Sequence, residues 1–217
     1  MPLWILRIGS VLWAWFVRLV ASFGHHRRAM GRVAIRHEGQ TAVLAHRGAP
    51  LMWFHVASLG ELEQAIPVMQ AHRAAHPETP WLLTVYSPSA WHPLQSKKPD
   101  GWRDGDLLAV LPDDFPWTWK TWLGQVPIQA LALAKYDLWP NLLVACRREG
   151  IPVHAFAAAP STPTPSTPAL WKLMDTISVQ DDRAAAAEEV AVEVASAAPE
   201  SSSPVCERHT TRVKQRR

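Results

Sequence analysis

Two carboxylates, a lysine and several hydroxyls stand just after apolar runs in this chain. Glu61 follows the run 51–57 across Ser58-Leu59-Gly60, Ser87 and Ser89 follow 81–86, and Lys135, Tyr136 and Asp137 follow 128–134. A carboxylate so placed can take a proton from a hydroxyl within hydrogen-bond reach, a contribution of typically ~10²–10⁴-fold in rate. Plainer roles exist for each residue. Glu61 suits a helix N-terminus electrostatically, Asp137 can open a helix ahead of Pro140, and Ser58 can serve a turn. His55 lies inside an apolar run, where a hydrogen-bonded core histidine is the simpler reading than a catalytic one. No GxGxxG, Walker loop or G-x-S-x-G elbow is present. From spacing alone, Glu61 is either a helix-start residue or the base of an active site.

The elements that must position these residues are legible as apolar runs alternating with helix-like segments. Candidate strands are 51–57, 81–86, 106–111, 128–134, 151–157 and 175–179. Between the first two, Leu62, Ile66, Met69 and Arg73 keep a helical spacing, and Pro67 is expected to kink that helix or shorten its first part. Residues 139–149 form a second helix that stops at Gly150. Alternation of this kind predicts βαβ units and an α/β fold with a Rossmann-like, doubly wound parallel sheet buried on both faces. In such sheets ligands bind beyond the carboxyl ends of the strands, where the crevice would gather Glu61, Ser87, Ser89, Lys135 and Asp137. Residues 91–105 read as a long polar loop and 160–168 as a Pro/Ser/Thr linker. The expected organisation is an anchor helix over 1–24, a basic connector over 25–50, an α/β domain over 51–187 and a poorly ordered tail over 188–217.

The 217 residues carry a net charge of +3, concentrated at the two ends rather than over the body. That distribution argues against nucleic acid as a partner. Cys146 and Cys206 form no C-x-x-C and suggest neither a disulfide framework nor a zinc site. Residues 3–23 are long enough to span a bilayer but carry Arg7 and Arg18, about three turns apart on one face with Ser10, Ala14 and Ser22 nearby. This layout fits a helix lying in the membrane interface, its arginines reaching headgroups and its aromatics dipping inward. A span with snorkelling arginines and a cleaved signal peptide are the alternatives. The cluster His25-His26-Arg27-Arg28 with Arg32 places the body on the cytoplasmic side, and the two histidines read as part of that juxtamembrane cluster rather than as metal ligands.

Taken together, WFHVASLGE (53–61), VLPDDFP (110–116), KYDLWPNLLVACRREGIPV (135–153) and MDTISVQDD (174–182) resemble, in order and spacing, the 3-deoxy-D-manno-octulosonic acid (Kdo) transferases. The likeness runs over roughly residues 1–187. It implies the N-terminal half of a GT-B glycosyltransferase at the cytoplasmic face of the inner membrane. The implied reaction moves Kdo from CMP-Kdo to a hydroxyl of the lipid A precursor (lipid IVA), with inversion, without a metal and with no cofactor besides the donor substrate. The resemblance makes Glu61 the proton acceptor and Asp137 the transition-state stabiliser. It leaves Ser58, Gly60, Ser87, Ser89 and Lys135 as the expected substrate-binding residues.

The chain departs from the family pattern in three places. Lys135 and Asp137 stand where many relatives carry two glutamates before LWPN. AAAPS (157–161) replaces a stretch usually of the form N-A-R-L-S. Nothing after Asp182 resembles a nucleotide-binding half, so a premature stop or shifted frame, with little turnover by this chain alone, is the expectation. Other readings are a non-catalytic lipid A-binding module and a different GT-B glycosyltransferase half.

Overall fold

Each apolar run takes its place in one sheet because its residues alternate between two buried faces. The computed structural model describes residues 2–23, 27–135, 138–158 and 167–179. In chain order the elements are α1 (Leu3–Ser22), α2 (Arg27–Ile35), α3 (Gln40–Ala45), β1 (Leu51–Val56), α4 (Leu59–Ala75), β2 (Trp81–Val85) and α5 (Pro88–Ser96). There follow β3 (Leu107–Val110), α6 (Pro116–Gln125), β4 (Ile128–Ala134), α7 (Pro140–Glu149), β5 (Val153–Ala158), α8 (Thr167–Trp171) and β6 (Thr176–Val179). The six strands pair in parallel in the order β3-β2-β1-β4-β5-β6. This is the doubly wound arrangement, and its direction of winding reverses between β1 and β4.

Side chains sort onto the two faces with the period of two that a strand imposes. Met52, Phe54 and Val56 of β1, with Trp81, Leu83 and Val85 of β2, pack under α4 and α5. Ala130, Ala132 and Ala134 of β4 complete that face, and their small side chains leave room for α4. The opposite face carries Leu51, Trp53, Leu82, Leu131 and Leu133 against Trp119 and Trp122 of α6 and Leu142, Leu143 and Cys146 of α7. Trp53, Trp81 and Trp119 are fully buried, and each contributes at the upper end of the ~1.5–3 kcal/mol typical of a large buried side chain. Cys146 lies inside this layer, where burial pushes its thiol up to about 12.

All six expected strands are present, and Gly150 ends α7 in the left-handed region at φ 68°. Three expectations about the rest are corrected. Pro67 does not shorten α4, which is continuous from Leu59 to Ala75. Pro67 and Glu63, the residue whose carbonyl loses its helical partner, both face solvent, so water can take the lost bond. The segment 91–105 is not all loop, because α5 runs to Ser96. Ser87 caps it through Ser89 N, and Pro88 occupies the first turn, where a missing N–H costs nothing.

The polar connector is likewise structured, holding α2 and α3. Its turn lies along β3, an edge strand, with Val110 N donating to Glu38 O at 2.9 Å and Gln40 Nε2 donating to Val110 O at 3.2 Å. Gly39 at φ 73° permits this approach, since a Cβ there would stand 2.2 Å from Leu108 O. The expected linker 160–168 lies almost wholly, and the tail 188–217 entirely, outside the described residues.

At the amino end of the sheet, His72 of α4 is buried and accepts the Trp81 indole N–H at Nδ1 (3.2 Å). Burial first, then the neighbouring His76 and Arg73, lower its pKa from 6.5 to about 4. The folded value lies below the unfolded one, so the neutral ring contributes stability that is complete above about pH 6.5 and is lost as pH falls toward 4. A fully expressed shift of this size corresponds to at most about 3 kcal/mol. Denaturant midpoints measured between pH 7 and pH 4 should therefore fall. His72→Gln, which can still accept the indole N–H, should flatten part of that decline.

Candidate functional site

The carboxyl ends of β2, β1 and β4 adjoin one another, and most of the residues singled out in the sequence lie just beyond them. Ser58 occupies the N-cap position of α4 but makes no capping bond with its side chain. Glu61 sits in the first turn and reaches back, its Oε2 accepting the backbone N–H of Ala57 at 2.6 Å. The carbonyl of the same Ala57 accepts the backbone N–H of Ser87 at 2.9 Å. Ala57 thus links the start of α4 to the start of α5 through its N–H and its carbonyl, and Glu61, Ser58, Gly60, Ser87 and Ser89 all lie at this end of the sheet. The hydroxyls of Ser87 and Ser89 stand 3.0 Å apart.

Gly60 needs no special backbone conformation, and a Cβ there would meet nothing within 4 Å. The space above this turn is open.

Lys135 follows β4 directly, on the other side of the winding reversal. Its backbone is in the left-handed region, φ 56°, and its N–H donates to Phe156 O at 2.9 Å. For a residue with a side chain that conformation costs about 1–2 kcal/mol. Strain of this kind gathers at functional sites. Asp137 and Tyr136 lie outside the described residues, as do His25 and His26.

A column of rings, unforeseen from the sequence, lines the same end of the sheet. The Arg32 guanidinium lies 4.3 Å from the centre of the Tyr86 ring. Tyr86 packs on Trp139 with ring centres 4.9 Å apart. Trp139 Nε1 donates to His55 Nε2 at 3.4 Å, and His55 Nδ1 faces Thr84 Oγ1 at 2.9 Å. Since the indole can only donate, His55 carries its proton on Nδ1 and gives it to Thr84. His55 is accordingly a buried, hydrogen-bonded core histidine.

The N-terminal helix corrects a further expectation. Its arginine face is turned to the protein, not to headgroups. Arg7 Nε donates to Asn141 Oδ1 at 2.9 Å, Ser10 Oγ donates to Asp114 Oδ2 at 2.5 Å, Ala14 is buried, and Arg18 pairs with Asp113. Asp114 is the hub. It accepts from Trp119 Nε1 (2.5 Å) and from the backbone N–H groups of Asn141 (3.0 Å) and Leu142 (2.9 Å), capping α7 from a distant loop. Burial raises its pKa, while those donors and Ser10 act to lower it. Two of the motifs that first stood out, LPDD and LWPN, are therefore the seat on which α1 docks.

The outward side of α1 is apolar, with Trp4, Ile8, Leu12, Trp15, Phe16, Leu19 and Phe23 exposed. It is also the one helix among the described residues that is long and apolar enough to cross a membrane.

A family model described as 3-deoxy-D-manno-octulosonic-acid transferase (kdotransferase) matches residues 26–193. The chain is 32% identical over 112 residues to the "Probable 3-deoxy-D-manno-octulosonic acid transferase, mitochondrial" of Arabidopsis thaliana, covering 52% of this chain and 24% of that protein. To the 3-deoxy-D-manno-octulosonic acid transferase of Bordetella pertussis it is 29% identical over 159 residues, covering 70% of this chain and 35% of that protein. To the enzyme of the same name from Aquifex aeolicus it is 31% identical over 106 residues, 49% of this chain and 28% of that protein. The chain thus matches between 24% and 35% of the length of these relatives.

Proposed function

Because the chain belongs to the 3-deoxy-D-manno-octulosonic-acid (Kdo) transferase family, we propose that it forms the acceptor-side domain of a glycosyltransferase of lipopolysaccharide synthesis, working at the cytoplasmic face of the inner membrane. CMP-Kdo is the donor and a hydroxyl of the lipid A precursor (lipid IVA) is the acceptor. Glu61 takes the proton of that hydroxyl, whose oxygen attacks the anomeric carbon of Kdo. The bond to CMP breaks, and CMP leaves with the bonding electrons. Asp137 stabilises charge in the transition state, while Ser58, Gly60, Ser87, Ser89 and Lys135 hold substrate.

The observation that carries this reading is the placement of Glu61 and Lys135 on either side of the winding reversal between β1 and β4, the crevice where doubly wound sheets bind ligands. The docked α1, with its apolar side outward, supports a domain that rests on a membrane and receives a lipid acceptor. Incubating the protein with CMP-Kdo and lipid A precursor, and following formation of the Kdo-bearing lipid, tests the assignment. Transfer that depends on both substrates is the expected result, and no Kdo-bearing lipid in any preparation of the protein would refute it.

Gly60 supplies a second check. Gly60→Ala should leave the fold intact or stabilise α4 by up to ~1 kcal/mol, since alanine is the better helix former. Its methyl group would enter the open space of the crevice and raise KM for the acceptor. A raised melting temperature with an unchanged KM would remove Gly60 from the site.

One observation favours a second reading. Glu61 Oε2 is already held by Ala57 N–H, as in a helix-capping arrangement. A membrane-associated lipid A-binding module without catalysis would need no more of Glu61 than this. Binding of the precursor with no turnover under any donor condition would favour that module.

A further inference from the structure

Beside the crevice, where α2 packs over the start of α5, lies a cavity of about 600 Å³ lined by Arg27, Arg28, Arg32, Tyr86, Ser87 and Ser89. Its lining holds three cations, two serine hydroxyls and no carboxylate. We infer that this cavity is a binding site for a phosphoryl group, held by the three guanidinium groups and the two hydroxyls.

Arg32 carries the inference. It is 5% exposed, yet its Nε and Nη1 have no hydrogen-bond partner. Only Nη2 is engaged, donating to Leu111 O at 2.6 Å and standing 3.5 Å from Asp113 Oδ1, a carboxylate already paired with Arg18. A buried guanidinium with unused N–H groups is costly unless an acceptor reaches it. The Tyr86 ring against its face orients the planar fork, and such a fork suits the oxygens of a phosphate.

A second feature is independent of Arg32. Helix α2 opens on Arg27 and Arg28 with no acid in its first turn. Cations at the positive end of a helix are unfavourable. An anion between them and the Ser87–Ser89 pair relieves this. Gly31 sets the width of the cleft, since a Cβ there would lie 3.2 Å from Pro88 Cγ.

The site does not depend on Glu61 acting as a base, and its test contains no Kdo donor, so its failure is separable from failure of the transferase reading. The full chain, purified in detergent, is titrated with inorganic phosphate against chloride at constant ionic strength. In parallel it is floated with phosphatidylcholine vesicles doped with phosphatidic acid, a phosphomonoester, or with phosphatidylglycerol, a diester, at matched surface charge.

Saturable binding of phosphate, lost at least tenfold in the exposed-residue variant Arg27→Gln/Arg28→Gln, is expected. Preference for phosphatidic acid over phosphatidylglycerol, abolished by free phosphate, would assign the group to a lipid headgroup. Phosphate binding without that preference would assign it to a soluble phosphate compound. Arg32→Gln is expected to lose phosphate binding as well, and the double variant keeps the test valid should Arg32→Gln fail to fold. Binding that the double variant leaves unchanged, or vesicle association that follows charge alone with no phosphate titration, overturns the site.

Discussion

Glu61→Gln should lower kcat by ~10²–10⁴-fold in any preparation of this protein that transfers Kdo, with little change in acceptor affinity. The substitution separates the two roles open to this residue. A glutamine can still accept the Ala57 N–H through its amide oxygen, so the 2.6 Å bond that ties Glu61 back to the end of β1 survives. It cannot take up a proton. Loss of turnover with an unchanged melting temperature would therefore come from the missing base. Glu61→Ala removes the bond as well and should add a stability cost of ~0.5–2 kcal/mol, the range for a lost helix cap. If Glu61→Gln turns over at the parental rate while Glu61→Ala is destabilised, the residue is a cap and nothing more.

The largest effect on stability is expected at the opposite end of the sheet. Arg73 of α4 is 7% exposed and makes a two-pronged pair with Asp106, its Nη2 lying 2.9 and 2.7 Å from the two carboxylate oxygens. It also donates to Gly101 O (3.1 Å) and Thr79 O (2.6 Å) and lies 3.9 Å from the centre of the Trp81 ring. Asp106 in turn accepts the backbone N–H groups of Trp81 and Arg103. This pair ties the end of α4 to the beginnings of β2 and β3. Arg73→Ala would leave the Asp106 carboxylate buried without its cation, a loss of ~3–5 kcal/mol. That is a large share of the ~5–15 kcal/mol by which a domain is stable. Arg103→Ala, an exposed arginine whose Nη1 donates to Pro77 O, should cost no more than about 1 kcal/mol. Equal denaturation midpoints for the two variants would refute the assignment of the hub to Arg73.

The six strands were readable because a strand buried on both faces must be apolar nearly throughout, and each such run ends at a polar turn. Glu61, Ser87 and Lys135 could be placed at the mouth of the sheet for the same reason, since they follow those runs directly. Helix α5 is hidden in the sequence because Pro93 and the polar residues after it resemble loop composition. The Ser87-Pro88 pair was the available signal, an N-cap followed by proline in the first turn. The arginines of α1 satisfied a simple amphipathic rule. That rule says which residues share a face but not what the face meets.

The chain's own order of residues determined the alternation of strand and helix, the parallel sheet, the family, and the positions that stand at the strand ends, because all of these follow from local periodicity and short motifs. Only the tertiary structure decided that Arg7, Ser10 and Arg18 dock on Asn141, Asp114 and Asp113, and that Arg32, Tyr86, Trp139 and His55 form one column. Arg7 and Asn141, for example, are 134 residues apart. Contacts of that range are set by how the helices pack across the sheet, and no local pattern encodes which side chains then meet.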